Sequence, residues 1–337
     1  MIKKKHDVLT IGRSSIDLYS QDIGAPFNDI KGFDAFVGGS PLNIAVGCAR
    51  LGVDASLLSG VGDDKVGTFI LNFLENEGVN THCIPTIKGT RSSAVVLGIE
   101  PPDKFPLVYY RDNAADSQIT IDDVIKAKIN DYKIVLLNGT ALNIEPTRSA
   151  TFFAAEVADK NDIDVVLDLD FRADQWHDYR AFGLTIRALL PKVKIAIGTE
   201  EEILAATMSS TSQVTIKDQQ ISAPEIKGDI DSSIQQLLAL GIETLIVKRG
   251  SAGASIHYPD GSKKDVPGFP VEILNVLGAG DAFASGFLYG ILQDWDLYKS
   301  CRMGNASGAQ VVTKKGCANF MPYLNESMSF INERGGF

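Results

Sequence analysis

Long apolar runs are the first thing this 337-residue chain lacks. No stretch approaches the roughly 20 residues that a bilayer-spanning helix needs, so no membrane span is expected. The basic start Met1-Ile2-Lys3-Lys4-Lys5-His6-Asp7 is followed by an apolar run, residues 8–11, too short for a signal-peptide core. Positive charge is also in deficit, with a formal net charge of −10. That argues against nucleic acid or an anionic membrane as partner. Any phosphate site must then be made locally, by backbone amides and a few placed cations. Cysteine is scarce: Cys48, Cys83, Cys301 and Cys317 show no CxxC or metal spacing. A reduced cytoplasm fits that usage best. The four histidines, His6, His82, His177 and His257, are scattered and form neither triad nor metal spacing.

What is present is a large apolar fraction, 45%, enough to bury one big α/β domain or two smaller ones. Residues 8–12 read as a short strand closing on glycine, and Ser40-Pro41 as the N-cap and first-turn proline of a helix through residue 51. Strand–helix pairs follow: 55–59 with 66–77, 134–137 with 145–160, 165–169 with 179–190, and 193–197 with 200–206. Residues 244–248 are a further strand. Such alternation predicts a parallel, doubly wound sheet with helices on both faces. Ligands of such sheets sit beyond the strands' C-terminal ends, where Gly12, Asn138, Asp168 and Gly198 fall. Residues 14–37 and 90–111 break the alternation, being extended and partly aromatic. Residues 208–233 are polar and predict a long surface excursion.

The most informative stretch is Asn275-Val276-Leu277-Gly278-Ala279-Gly280-Asp281-Ala282-Phe283. Small residues lead into an aspartate, and residues 282–292 then read as an apolar helix. Unpaired amides at that helix start would converge on one point and attract a phosphate. A carboxylate beside an anion site makes chemical sense if Asp281 is a base that deprotonates an attacking hydroxyl. The plain alternative is an aspartate capping the helix after a glycine turn. A second glycine-rich element, Gly38-Gly39-Ser40-Pro41-Leu42-Asn43-Ile44-Ala45, is followed by Gly52 and then Gly62.

These two elements, in this order and over two hundred residues apart, resemble the paired signatures of the ribokinase-like (pfkB-type) carbohydrate kinases. The resemblance covers essentially the whole chain. It implies a ribokinase-like α/β/α sandwich of three layers, with a mostly parallel central sheet and a small β lid formed by about residues 14–37 and 90–111. Residues 1–337 would then be one kinase domain. It further implies that ATP with Mg²⁺ is used, that Asp281 is the base, and that Gly278, Ala279 and Gly280 form an anion hole. Asp17, Gly38, Gly39 and Asn43 correspond to sugar-binding positions. Glycines permit close backbone approach, and an asparagine offers a diol both donor and acceptor.

Arg111, in Tyr110-Arg111-Asp112-Asn113-Ala114-Ala115-Asp116, and Arg172, in Asp168-Leu169-Asp170-Phe171-Arg172, match positions where kinases of ketodeoxy sugar acids hold the substrate carboxylate. A guanidinium rewards a carboxylate with charge-assisted hydrogen bonds and gives a neutral sugar little. For each arginine the plain alternative is a salt bridge, to Asp112 or to Asp170. The motifs are most similar to members serving myo-inositol catabolism. A kinase of another ketodeoxy acid, a kinase of fructose, and a sugar- or ATP-binding sensor without turnover are the alternatives. Lys248, Gly250 and Gly253 resemble the family's nucleotide loop, and Asn305 a helix position near the adenine. Thr199 and Glu202 spell a capping box. Glu201 matches a family glutamate that supports magnesium, through water, although Gly198 replaces the accompanying asparagine. Asn275-Val276-Leu277 departs from the usual Asp-Thr-Thr, which weakens the case for potassium activation. Lid-to-lid dimers are common in the family, so a homodimer is expected.

Overall fold

The computed structural model describes residues 4–100, 104–216 and 224–337. Its centre is an eight-stranded sheet running, edge to edge, Lys263–Val266, Ala254–His257, Thr244–Lys248, Ile195–Thr199, Asp164–Asp168, Tyr132–Asn138, His6–Ile11 and Ala55–Leu58. The strands from Thr244–Lys248 to Ala55–Leu58 are parallel, and the other two add antiparallel. The alternation of strand and helix in the sequence is thus realised as the expected mostly parallel sheet.

Two apolar cores explain why the sheet has helices on both faces. Along Tyr132–Asn138, Val135 and Leu137 join one core while Ile134 and Leu136 join the other. The first core is closed by helices Thr147–Lys160 and Tyr179–Leu189, the second by helices Ser40–Arg50 and Ala279–Leu292. A strand buried on both faces reads as a continuous apolar run rather than an alternating one, and this strand is buried at all but Lys133.

Several boundaries differ from the sequence expectation for local reasons. The helix expected from residue 282 begins at Ala279, because Gly278 takes a left-handed φ of +82° and acts as its N-cap. Asp281 therefore lies in the first turn rather than at the cap. Likewise Gly39, at φ +109°, caps the Ser40–Arg50 helix, so Ser40 is its first residue. Within 208–233, the described part holds a small hairpin, Val214–Thr215 with Glu225–Ile226. It also holds the start of helix Ile230–Leu238, capped by Asp229, which accepts from the Ser232 amide. The rest of that polar segment, 217–223, lies outside the described residues, as do 101–103 of the second extended segment.

A separate four-stranded sheet, ordered Phe33–Gly38, Ser15–Ser20, Ser93–Leu97, Leu107–Tyr110, is built from the two segments that break the alternation. It leaves the main sheet directly after His6–Ile11. That strand lies beside Tyr132–Asn138 at the point where the chain, having wound out to Ala55–Leu58, crosses back and winds the other way. Clefts in doubly wound sheets open at such a reversal.

Candidate active site

A cleft opens at this reversal, between the small sheet and the helix starts at Ser40 and Ala279. The small sheet supplies its roof from alternate positions, Asp17 and Tyr19, Val95 and Leu97, Leu107 and Tyr109, because period-two alternation sends them to one face. The opposite wall carries Ser40, Asn43, Arg172, Gly278, Asp281 and Cys317. Both glycine signatures of the sequence therefore meet in one place.

Asp281 and Asn43 touch: Asn43 Nδ2 donates to Asp281 Oδ2 at 2.7 Å. Burial raises the Asp281 carboxyl above its ordinary range, and nearby Asp170 adds to this. Hydrogen bonds from Asn43 and Ser40, and the Arg172 charge, pull the other way. Such balance suits a general base, which must be ionised at working pH yet accept a proton. Asn43 Oδ1 is buried with no partner among the described residues, which leaves an acceptor for a hydroxyl. Beside Asp281, no backbone acceptor among the described residues takes the Gly280 or Asp281 amide. A Cβ on Gly280 would stand 3.1 Å from Lys248 Nζ. Two free amides, a helix dipole and an ammonium thus surround one small space, a fit for a phosphate.

Asp17 is 6% exposed and accepts from Ser15 Oγ at 2.6 Å. Burial raises its pKa against the opposing pull of Arg13 and Ser15. Gly38 is what makes room for it, since a Cβ there would overlap the Asp17 carboxylate. At Gly39 a Cβ would overlap the Arg13 carbonyl. These glycines let the 13–17 segment pass against the helix start.

The two arginines separate. Arg172 lines the cleft and pairs with Asp170 at 2.5 Å, the salt bridge anticipated as its plain alternative. Arg111 does not line the cleft. It pairs at 2.7 Å with Asp116 rather than Asp112, and donates to the Thr140 carbonyl and Gln175 Oε1 at 2.9 and 2.8 Å. Its guanidinium braces the loops behind the wall.

The nucleotide-loop residues are also tied into the structure. Lys248 Nζ lies 3.1 Å from Asp168 and 3.8 Å from Glu202. Those carboxylates raise the lysine's pKa against burial, and burial raises Asp168 against the lysine's pull. Gly250 and Gly253 take φ of +54° and +91°. A Cβ at Gly253 would collide with the backbone at 266–268. Asn305 Nδ2 donates to the carbonyls of Val266 and Pro267 at 3.2 and 3.0 Å, so its amide group fastens one helix to the strand end. Glu201 is exposed on the first turn of helix Glu200–Thr207, whose capping box between Thr199 and Glu202 is formed. Among the described residues no three His, Cys, Asp or Glu side chains are grouped to hold a metal. Asn275 is fully buried, bonded to the Lys315 carbonyl and the Leu277 amide.

Sequence reasoning overlooked Arg13, Tyr109 and Cys317 as cleft residues. Arg13 directly follows Gly12, one of the strand ends where ligands were expected, so position alone could have singled it out. Tyr109 needed the strand register. Cys317 is brought in by long-range packing, its Sγ 3.0 Å from the Tyr19 hydroxyl.

The family described as pfkB family carbohydrate kinase matches residues 5–324. The 5-dehydro-2-deoxygluconokinase of Clostridium tetani (strain Massachusetts / E88) is 33% identical over 333 residues, covering 98% of this chain and 94% of that protein. The protein of the same name from Geobacillus thermodenitrificans (strain NG80-2) is 31% identical, with the same coverage of each. Among solved structures, a fructokinase with bound ATP from Xylella fastidiosa superposes with a TM-score of 0.83 at 24% identity, covering 98% of this chain and 99% of that one. An E. coli protein described as ribokinase II, in complex with ATP and Mg²⁺, gives 0.82 at 22% identity, covering 97% and 99%. At these identities the structural likenesses show the fold, which is ribokinase-like.

Proposed function

Since the chain belongs to the pfkB family of carbohydrate kinases, we propose that it transfers the γ-phosphate of ATP to the primary hydroxyl of 5-dehydro-2-deoxy-D-gluconate. The name shared by its curated relatives supports this substrate. The observation that carries the reading is the joining of Asp281 to Asn43 beside two unbonded amides, in a cleft that also holds the Arg172 guanidinium.

In this reading Asp17 and Asn43 hold sugar hydroxyls and Arg172 holds the carboxylate. Asp281 takes the proton of the primary hydroxyl as its oxygen attacks the γ-phosphorus in line. The bond to the β-phosphate oxygen breaks and ADP leaves. The unbonded amides of Gly280 and Asp281 stabilise charge on the transferred group, with Gly278 turning the chain, while the Ala279 amide, expected to join them, donates instead to the Val276 carbonyl at 3.3 Å. Lys248 adds a positive charge on the far side of Gly280. Gly250 and Gly253 shape the loop where the nucleotide lies, and Asn305 supports that loop from behind. Magnesium bound with the nucleotide would neutralise phosphate charge. Such an ion is held mainly by phosphates and water, with Glu201 assisting through water. The small sheet serves as a lid that excludes water from the reaction. Arg111 stiffens the wall from which that lid projects.

We further propose cytoplasmic action, and a homodimer through the outward face of the small sheet, where Phe33, Val108 and Tyr110 are exposed. Light scattering tests the dimer. A coupled ADP-release assay with a panel of sugar acids and neutral sugars tests the activity. Turnover is expected with the ketodeoxy acid. Preference for fructose would move the assignment to a fructokinase, and absence of any turnover would favour a sensor.

A further inference from the structure

We propose that Arg13 recognises the carboxylate of the sugar acid directly and so sets the preference for acid over neutral sugar. This rests on the kinase reading above but adds a residue to which neither signature points. Arg13 stands at the reversal point of the sheet, two residues past the end of strand His6–Ile11, and lines the cleft. It is 7% exposed. Its hydrogen-bond inventory is unusual for a buried guanidinium. Nη1 donates to Ser15 Oγ at 2.9 Å, while Nε is buried with no partner among the described residues.

A buried cation is normally paired with an anion, because leaving it unpaired forfeits its hydration without return. The other two arginines of this region obey that rule, Arg172 with Asp170 and Arg111 with Asp116. Arg13 has no carboxylate within ion-pair distance among the described residues. Asp17 is reached only through the Ser15 hydroxyl. The guanidinium instead lies over the Tyr109 ring, 5.0 Å from its centroid. Stacking on a ring face leaves the in-plane N–H groups available, and these are the groups that grip a carboxylate in two-pronged fashion. Tyr109 feels both Arg13 and Arg172, so two guanidiniums flank one phenol on the roof of the cleft. A ligand carboxylate entering there supplies the anion that Arg13 lacks.

The alternative role, as a distant counter-ion for Asp17, makes a different prediction. Asp17 would serve any sugar, so its loss of support would weaken acid and neutral ligands alike. The test uses Arg13→Gln in the full chain, with D-gluconate and sorbitol as a pair differing in the carboxylate alone. Calorimetry measures the binding of each, and steady-state assays measure KM for 5-dehydro-2-deoxygluconate and for ATP. Arg13→Gln should weaken gluconate and raise the sugar-acid KM by about 10- to 100-fold, as expected for a lost charged hydrogen bond. Sorbitol binding and the KM for ATP should stay unchanged. Equal weakening of gluconate and sorbitol, or no change in either, overturns the proposal, as does failure of the wild-type protein to bind gluconate. If Arg13→Gln does not fold, Arg13→Lys keeps the charge without the fork. It should still weaken gluconate selectively, and an unselective effect overturns the proposal in that case too. Intact gluconate binding without phosphorylation of any sugar acid would instead sink the kinase assignment and leave the role of Arg13 standing.

Discussion

Asn43 and Asp281 are 238 residues apart in the chain and 2.7 Å apart in space. Each belongs to a glycine-rich element, and each lies near the start of a helix capped by a glycine of positive φ, Gly39 and Gly278. The contact holds the carboxylate in one orientation and favours its ionised form.

Removing the proposed base leaves shape nearly intact. Asp281→Asn should lower kcat by roughly 10²–10⁴-fold, the usual worth of a positioned base, with ATP and sugar affinities changed only a few-fold. Stability should not fall. Burial raises the pKa of Asp281, so its ionisation costs folding stability as pH rises through the folded pKa, and an uncharged asparagine escapes that cost. Rapid-quench kinetics and thermal melts check both halves. Retention of more than about a tenth of wild-type kcat removes Asp281 from the chemistry.

The Asn43 contact makes a pH prediction. Asn43→Ala deletes a hydrogen bond made to the charged carboxylate, so the Asp281 pKa should rise further. A base works when ionised, and activity is lost as pH falls through its pKa. The acid limb of the kcat profile should therefore move to higher pH, and the deficit should shrink in mildly alkaline buffer. An acid limb that stays put would show that another group limits the rate.

At the anion site, Gly280→Val should abolish most activity in a folded protein. The branched side chain would crowd Lys248 and cover the unbonded amides. Gly278→Ala acts differently, since a Cβ there would come 2.8 Å from Cys317 Sγ at a φ of +82°. It should cost stability as well as rate. Circular dichroism melts beside turnover assays separate the two, and normal turnover by Gly280→Val would discard the anion hole.

The two candidate arginines should fail in different ways. Arg172→Ala should raise KM for the sugar acid by about 10- to 100-fold, the worth of a charged hydrogen bond, without changing KM for ATP. Arg111→Ala strands Asp116, whose side chain is fully buried. Breaking such a pair costs about 3–5 kcal/mol, read as a lower urea midpoint. Replacing both members, Arg111→Met with Asp116→Leu, should recover much of that loss. If Arg111→Ala instead keeps full stability and loses only sugar-acid affinity, Arg111 belongs to the substrate site.

Much of this was legible from sequence because the informative residues sit where the chain is locally constrained. Apolar runs bounded by glycine located the parallel strands, and Thr199 with Glu202 announced a helix start that the structure repeats. Small residues hid other boundaries. Ala279 and Gly280 carry no apolar periodicity, so the helix was expected three residues late. The hairpin Ala254–His257 with Lys263–Val266 and helix Leu297–Val311 carry too mixed a pattern to stand out. Side-chain partnership was the least readable. Arg111 has Asp112 as neighbour in sequence but Asp116 in space, because the 3₁₀ turn Ala115–Ser117 carries Asp116 inward. Arg13 was passed over because it precedes both signatures and belongs to neither.

Gly38 and Asp17 occupy overlapping volume: the space that a Cβ would need is the space where the carboxylate lies. Position 38 can therefore accept no side chain while the acid remains. A descendant that gave up the acid could admit alanine at position 38, and from then on the methyl group would bar the acid's return. Glycine and aspartate here behave as a one-way latch on the lineage, and chains that share the fold should not combine the aspartate with a side chain at position 38.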